Sequence, residues 1–85
     1  MGGQKILIVE DDPEITDVLR LYLEKSGFRV VCAVDGEQAL KLTEAEKPEL
    51  VILDVLLPGK DGFDVCKELR GITPAPILFL ICKKE

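Results

Sequence analysis

The chain has 85 residues, of which 47% are hydrophobic and 32% charged, and its 11 basic and 16 acidic residues give a formal net charge of -5. This length allows one domain, and the composition is that of a globular protein and not of a disordered chain. The acidic balance argues against direct binding to nucleic acid, which needs clustered Lys and Arg, and no apolar run approaches the roughly 20 residues of a membrane span.

The first predicted unit is a strand followed by a helix. Lys5–Val9 is a β-branched-rich apolar run, typical of a strand covered on both faces in a parallel sheet. Asp12 then predicts a helix N-cap, with Pro13 at the first helical position and Gly27 just beyond the helix end. The apolar residues at helical spacing between them are Ile15, Val18, Leu19, Tyr22 and Leu23.

A second unit of the same kind follows. Residues 28–34 predict a strand, Asp35-Gly36 a turn and helix start, and residues 37–46 a helix that Pro48 closes. The residues predicted on the inner side of this helix are Ala39, Leu40 and Thr43.

The remaining elements repeat the alternation. Leu50–Asp54 predicts a third strand, residues 58–61 a loop, Gly62–Arg70 a third helix and residues 76–81 a fourth strand. The third helix is predicted to turn Phe63, Cys66 and Leu69 inward. Alternating strands and helices imply right-handed βαβ units and a parallel sheet with helices on its faces.

Acidic residues follow two of the predicted strands. Glu10, Asp11 and Asp12 come after the first strand, and Asp54 ends the third. Ligand crevices of open α/β sheets lie beyond the carboxyl ends of the strands, so these groups converge on one edge if the two strands are neighbours.

A cluster of carboxylates destabilises so small a domain unless a bound group compensates for their repulsion. Two carboxylates roughly 5 Å apart repel by about 3 kcal/mol at an effective dielectric near 20, and a divalent cation removes that conflict. Magnesium prefers one or two carboxylates, waters and a phosphate oxygen, which leaves Asp54 able to act as a nucleophile toward a phosphoryl group.

Each acidic residue also has a structural alternative. Asp12 is better explained as a helix cap than as a ligand. Glu10 and Asp11 could serve only the electrostatics of the helix N-terminus, and Asp54 could be a polar residue at a strand end.

Three segments in this order resemble the receiver domain of two-component response regulators: ILIVEDDPEI at residues 6–15, VDGEQAL at 34–40 and VILDVLLPGKDGFDV at 51–65. The resemblance covers residues 5–85. It implies an α/β, flavodoxin-like, three-layer fold built from βα repeats, with a parallel sheet of strand order 2-1-3-4.

The resemblance also implies roles for individual residues. Asp54 matches the phosphoacceptor, Asp11 the direct Mg²⁺ ligand, and Glu10 an acidic residue that acts on the metal through water. Leu56 matches the position whose backbone carbonyl completes the metal shell, and Pro58-Gly59 shapes the loop behind the site. The implied phosphodonor is a sensor histidine kinase, and the domain is no enzyme beyond catalysing its own phosphorylation and dephosphorylation.

The sequence departs from the family pattern at its end. We expect a flexible leader at residues 1–4 and a partial receiver domain at 5–85 that lacks the usual fifth strand, the last two helices and the family's active-site Lys. Ile81 stands where the family keeps a Ser or Thr hydroxyl for the phosphoryl group. Residues 77–81 are apolar on both faces, and as an exposed edge they predict self-association, most simply as a homodimer.

Three functions are therefore open: a phosphoacceptor module, a truncated or engineered receiver fragment that folds and self-associates without switching, and a phosphohydrolase. The last is least favoured, because Leu56 stands where such enzymes keep a second Asp. The odd cysteines Cys32, Cys66 and Cys82, in apolar surroundings, are interpreted as reduced core residues of a cytoplasmic protein.

Overall fold

A computed structural model describes residues 3–57 and 59–81 of the chain. The elements in this part are β1 (Lys5–Val9), α1 (Pro13–Lys25), β2 (Arg29–Ala33), α2 (Gly36–Glu46), β3 (Leu50–Asp54), β4 (Leu56–Leu57), β5 (Lys60–Asp61), α3 (Gly62–Arg70) and β6 (Ile77–Leu80). Four of the strands form a parallel sheet in the order β2-β1-β3-β6, while β4 and β5 form a separate antiparallel ribbon. The predicted α/β fold and strand order are confirmed, with β6 as the predicted fourth strand.

Strand β1 lies at the centre of the sheet and of the core. Leu7, Ile8 and Val9 are fully buried: β2 and β3 pair along the two edges of the strand, and α2 contacts it as well. A strand enclosed in this way needs apolar side chains on both faces, which explains its unbroken apolar run.

Helix α1 begins and ends as predicted, but its side chains are poorly buried. Asp12 has extended backbone angles, and its side chain accepts a hydrogen bond from the Glu14 amide at 2.9 Å. Gly27 lies beyond the helix end with φ +94°, a conformation that favours glycine. The helix contacts β2, yet it has no buried residue, and Tyr22 is 68% exposed.

Helix α2 begins at Gly36, one residue earlier than predicted, because Asp35 is its cap. The Asp35 carboxylate accepts a hydrogen bond from the Gln38 amide at 2.8 Å. Ala39 and Thr43 are buried as predicted, and the Thr43 hydroxyl donates to the Ala39 carbonyl at 2.7 Å. Leu40 is half-buried against the core.

The prediction that Phe63 points inward is wrong. Val65 and Leu69 are the fully buried residues of α3, together with the buried Gly62, whereas the Phe63 side chain is 55% exposed. The buried face thus starts one residue before Phe63, and the Phe63 ring instead packs against Phe79 of β6, with the ring centroids 4.8 Å apart.

The predicted loop at 58–61 is also wrong in part. Lys60 and Asp61 form a strand that pairs with Leu57 and Leu56, respectively. Gly59, at φ +69°, supplies the turn between them, and Pro58 lies outside the described residues. The ribbon is tied to α3 because Lys60 Nζ donates to the Glu68 carboxylate, a hydrogen bond that raises the pKa of Lys60.

The other predicted elements differ only at their ends. The fourth strand is shorter than the predicted 76–81, because the Pro76 ring nitrogen carries no hydrogen to donate to a ladder and Ile81 follows the last paired residue. Met1 and Gly2 lie outside the described residues, while the Gln4 carbonyl accepts from the Arg29 amide at 2.9 Å. A flexible leader at 1–4 stays a prediction.

The two described cysteines are less buried than the predicted core positions imply. Cys32 and Cys66 are free thiols and half-buried, and Cys82 lies outside the described residues. Arg20 Nη2 donates to Cys32 Sγ at 3.1 Å, but burial is the larger influence and raises the pKa of this thiol. Within the described part of the chain, no helix is long and apolar enough to cross a bilayer.

We predict that Leu69→Ala lowers the free energy of unfolding by about 2 to 5 kcal/mol, because it leaves a cavity beneath α3. Leu21→Ala on α1 is the matched control, since its side chain is 57% exposed, and it should change stability by no more than about 0.5 kcal/mol. Urea unfolding followed by circular dichroism measures both. Equal losses in the two variants would contradict this assignment of the core.

Candidate functional site

Three carboxylates meet at the carboxyl edge of the sheet. Glu10 and Asp11 directly follow β1, and Asp54 is the last residue of β3. Each offers an oxygen atom, and these atoms all lie within 4.8 Å of one another. The structure therefore brings together the three acidic residues that the sequence predicts.

Two members of this acidic triad, Glu10 and Asp54, are almost completely enclosed. Glu10 is 2% exposed and Asp54 1%, whereas Asp11 is exposed. The triad thus has a buried base and one carboxylate at the solvent-facing side, so that an ion or ligand can reach it from water.

Backbone amides fix the two enclosed carboxylates. Glu10 continues the strand pairing of β1, since its amide donates to the Ala33 carbonyl at 3.0 Å, and its Oε2 atom accepts from the Asp12 amide at 3.0 Å. Asp54 Oδ1 accepts from the Leu56 amide, also at 3.0 Å. Each of these contacts fixes the position of one oxygen atom of its carboxylate.

The donor set suits a hard divalent cation. Two carboxylates 4.8 Å apart repel by about 3 kcal/mol at an effective dielectric of 20, and burial increases that conflict. The triad offers only carboxylate oxygen atoms, the ligands that Mg²⁺ prefers, and its open side leaves room for the waters that this ion retains. The acidic triad thus resembles a receiver Mg²⁺ site.

The other predicted site residues lie around the triad. Asp12 is the cap of α1, as the structural alternative held. Leu56 lies in β4 with its side chain 63% exposed, and Gly59 forms the turn of the ribbon. Ile81 follows β6 and is 76% exposed, so the position that the resemblance matches to a hydroxyl carries an alkyl group.

Sequence reasoning missed one residue next to the site. Gly62 begins α3, and a Cβ atom built on it would lie 2.5 Å from the Asp54 carbonyl oxygen. The only sequence signal is an Asp-Gly pair before a helical pattern, which does not distinguish a helix start from a close backbone contact.

The profile of the response regulator receiver domain matches residues 6–85. The chain belongs to the response regulator receiver family. This is not a family of catalytic enzymes, in agreement with the prediction, and an acidic pocket of Glu10, Asp11 and Asp54 is typical of its phosphoacceptor site. A histidine kinase partner is implied for the family in general.

Individual relatives agree with the family assignment. Over 84 residues the chain is 51% identical to the alkaline phosphatase synthesis transcriptional regulatory protein PhoP of Bacillus subtilis (strain 168), covering 98% of this chain and 35% of that protein. The chain therefore spans about a third of the length of this curated relative.

Solved structures share the fold. The BeF3-activated N-terminal receiver domain of RstA from Klebsiella pneumoniae superposes with a TM-score of 0.87 at 43% identity, covering 95% of this chain and 69% of that one. The N-terminal domain of a response regulator/sensory box/GGDEF 3-domain protein from Carboxydothermus hydrogenoformans gives 0.88 at 32% identity, with 96% and 67% covered.

We predict that Asp11→Asn stabilises the metal-free protein, because it removes one charge from a triad whose members repel. The expected gain in the free energy of unfolding is about 1 to 3 kcal/mol, the Coulomb range between water and an effective dielectric of 20 at this separation. Urea unfolding in the presence of a chelator measures it.

Asp17→Asn is the matched control, since it makes the same change in net charge at an exposed position in the second turn of α1. An equal gain in both variants would show that overall charge, and not the triad, causes the effect.

Proposed function

We propose that this receiver domain accepts a phosphoryl group on Asp54, with Mg²⁺ bound at the acidic triad and a sensor histidine kinase as donor. The observation that supports this most directly is the meeting of three carboxylate oxygens within 4.8 Å around Asp54, which the strand pairing holds at a ligand-accessible edge. The proposal also extends to a cytoplasmic location and to the division into residues 1–4 and 5–85.

The residues take separate roles in this proposal. Asp11 is the direct metal ligand, Glu10 acts on the metal through water, and the Asp54 carboxylate and Leu56 backbone carbonyl complete the protein ligands. When bound there, Mg²⁺ would offset part of the negative charge that a phosphoryl group brings to this acidic pocket.

Asp54 supplies the nucleophile. One of its carboxylate oxygens forms a bond to phosphorus while the bond from phosphorus to the donor's nitrogen breaks, and the donor nitrogen keeps that electron pair. The Leu56 amide, 3.0 Å from Oδ1, orients the carboxylate for this step. Orientation of this kind lowers the barrier because little motion remains to be restricted.

Ile81 cannot stabilise the negative charge of a phosphoryl group on Asp54. A hydrogen-bond donor aimed at a developing oxyanion contributes roughly 3 to 4 kcal/mol, and an Ile side chain donates none. We therefore expect phosphorylation that is slower or shorter-lived than in a receiver with a hydroxyl at this position.

A second candidate function, self-association, rests on the exposed edge of the sheet. In the described part of the chain, β6 pairs with β3 on one side and with no strand on the other. Its residues Leu78 and Phe79 are exposed, as is Ile81 after it. An unpaired apolar edge is a template for another strand, so we propose a second copy of this chain as its partner, in a closed twofold dimer.

We predict that acetyl phosphate with Mg²⁺ adds one phosphoryl group to the wild-type chain, measured by intact mass, and that Asp54→Ala abolishes the addition. Asp11→Asn should slow the reaction strongly because it removes the direct metal ligand. Asp17→Asn, which removes the same charge but is not a member of the triad, should react at the wild-type rate.

Two results would contradict the phosphoacceptor assignment. A mass shift that persists in Asp54→Ala would place the group elsewhere, and a wild-type chain without any shift would favour the self-associating module that does not switch.

We predict that the 85-residue chain elutes above its monomer mass of 9.4 kDa as its concentration rises from micromolar to millimolar. Leu78→Lys places a charge on the exposed β6 edge and should restore the monomer, while Leu21→Lys on α1 should not. Light scattering after size exclusion measures both. A folded wild-type monomer throughout this range would remove the proposal.

A further inference from the structure

We propose that Gly62 is a positioning residue for the phosphoacceptor site: its missing side chain lets α3 start against the backbone that carries Asp54 and Leu56. This inference rests on the proposed function and adds a residue to it. The role differs from that of the metal ligands, since Gly62 acts only through the segment it touches.

The contact is one between backbones. A Cβ atom on Gly62 would lie 2.5 Å from the Asp54 carbonyl oxygen, 2.6 Å from Val55 Cα and 3.1 Å from the Val55 carbonyl carbon. The two shortest distances are below the 3.0 Å that real Cβ atoms respect, so any side chain here displaces α3 or the residues after β3.

Backbone hydrogen bonds fix the position of residues 54–56 relative to the start of α3. The Gly62 amide donates to the Val55 carbonyl at 3.0 Å, and Asp61 pairs with Leu56 in the ribbon. Asp61 also caps α3, since its side chain accepts from the Phe63 amide at 2.8 Å. The start of the helix and the segment 54–56 therefore move together.

The same segment carries the chemistry. The Leu56 amide donates to Asp54 Oδ1, so the position of residue 56 sets the orientation of the phosphoacceptor carboxylate. Residue 56 also supplies the carbonyl assigned to the metal. Binding constellations tolerate errors of only about 0.5 Å, which is the size of shift that a methyl group at Gly62 enforces.

Other glycines in the chain have different reasons to be glycine. Gly27 and Gly59 have positive φ, whereas Gly62 does not, so its backbone angles do not require glycine. A Cβ atom on Gly36 would lie 2.7 Å from Val65 Cγ2, a comparable clash between α2 and a side chain of α3. Gly36 thus offers a control for lost packing without a direct clash with the 54–56 backbone.

The test compares Gly62→Ala and Gly36→Ala with the wild-type chain. Each is titrated with Mg²⁺ alone by calorimetry, after circular dichroism has established the folded state, with trimethylamine N-oxide added to all three where a variant is partly unfolded. The metal-free Leu56 amide signal is recorded by NMR as a readout independent of the ion.

We expect Gly62→Ala to weaken Mg²⁺ binding by about tenfold or more, as for other residues that orient metal ligands, and to shift the metal-free Leu56 amide signal. Gly36→Ala should leave both unchanged in its folded state. Equal affinity in Gly62→Ala and wild type, equal weakening in both variants, or a Gly62→Ala chain that stays unfolded would overturn the positioning role. A wild-type chain that shows no binding of Mg²⁺ would overturn the proposed function, and this inference with it.

Discussion

The parallel pairing of β1 with β3 is the constraint on which the site depends. Val9 is the register partner of Leu53, so the next residues, Glu10 and Asp54, lie side by side at the carboxyl ends of the two strands. A shift of one residue in this register would move each side chain of the slipped strand to the opposite face of the sheet and would separate the two carboxylates. The apolar contacts that stabilise the core therefore also determine the geometry of the acidic triad.

The burial of carboxylates at the site lowers the stability of the domain. Glu10 and Asp54 are buried charged residues in a domain small enough that a few kcal/mol is a large part of its stability. Local amides offset part of the cost, and a cation at the triad would offset more. A ligand that binds the folded chain and not the unfolded chain increases the stability of the fold. Occupancy of the site and folding are therefore linked.

Sequence patterns predict those features that local physical chemistry determines. The caps Asp12 and Asp35 satisfy the first amides of their own helices, and the apolar run of β1 reflects burial on both faces. The acidic triad was also predictable, because parallel strands place their carboxyl ends at one edge.

The features that the sequence did not reveal depend on contacts between distant or irregular segments. Phe63 has the spacing of a core residue, but α3 is oriented so that Val65, which was not predicted to be buried, joins the predicted Leu69 in the core. The ribbon at Lys60 and Asp61 is too short to leave a strand pattern. The need for glycine at position 62 becomes visible only when the backbone of β3 is in place, since its backbone angles are ordinary.

The two proposed functions share one boundary of the sheet. Asp54 is the register partner of Leu80, and the Val55 amide donates to the Leu80 carbonyl at 3.3 Å, so the end of β6 contacts the segment that contains the proposed phosphoacceptor. Phe63, which follows Gly62, packs on Phe79 of the same strand. A partner strand added along β6 would therefore contact residues that share hydrogen bonds and ring packing with the site. If both proposals hold, association and phosphorylation are linked equilibria. Phosphorylation of Asp54 would then change the affinity of a second chain for β6 to the extent that it alters the residues that both events involve.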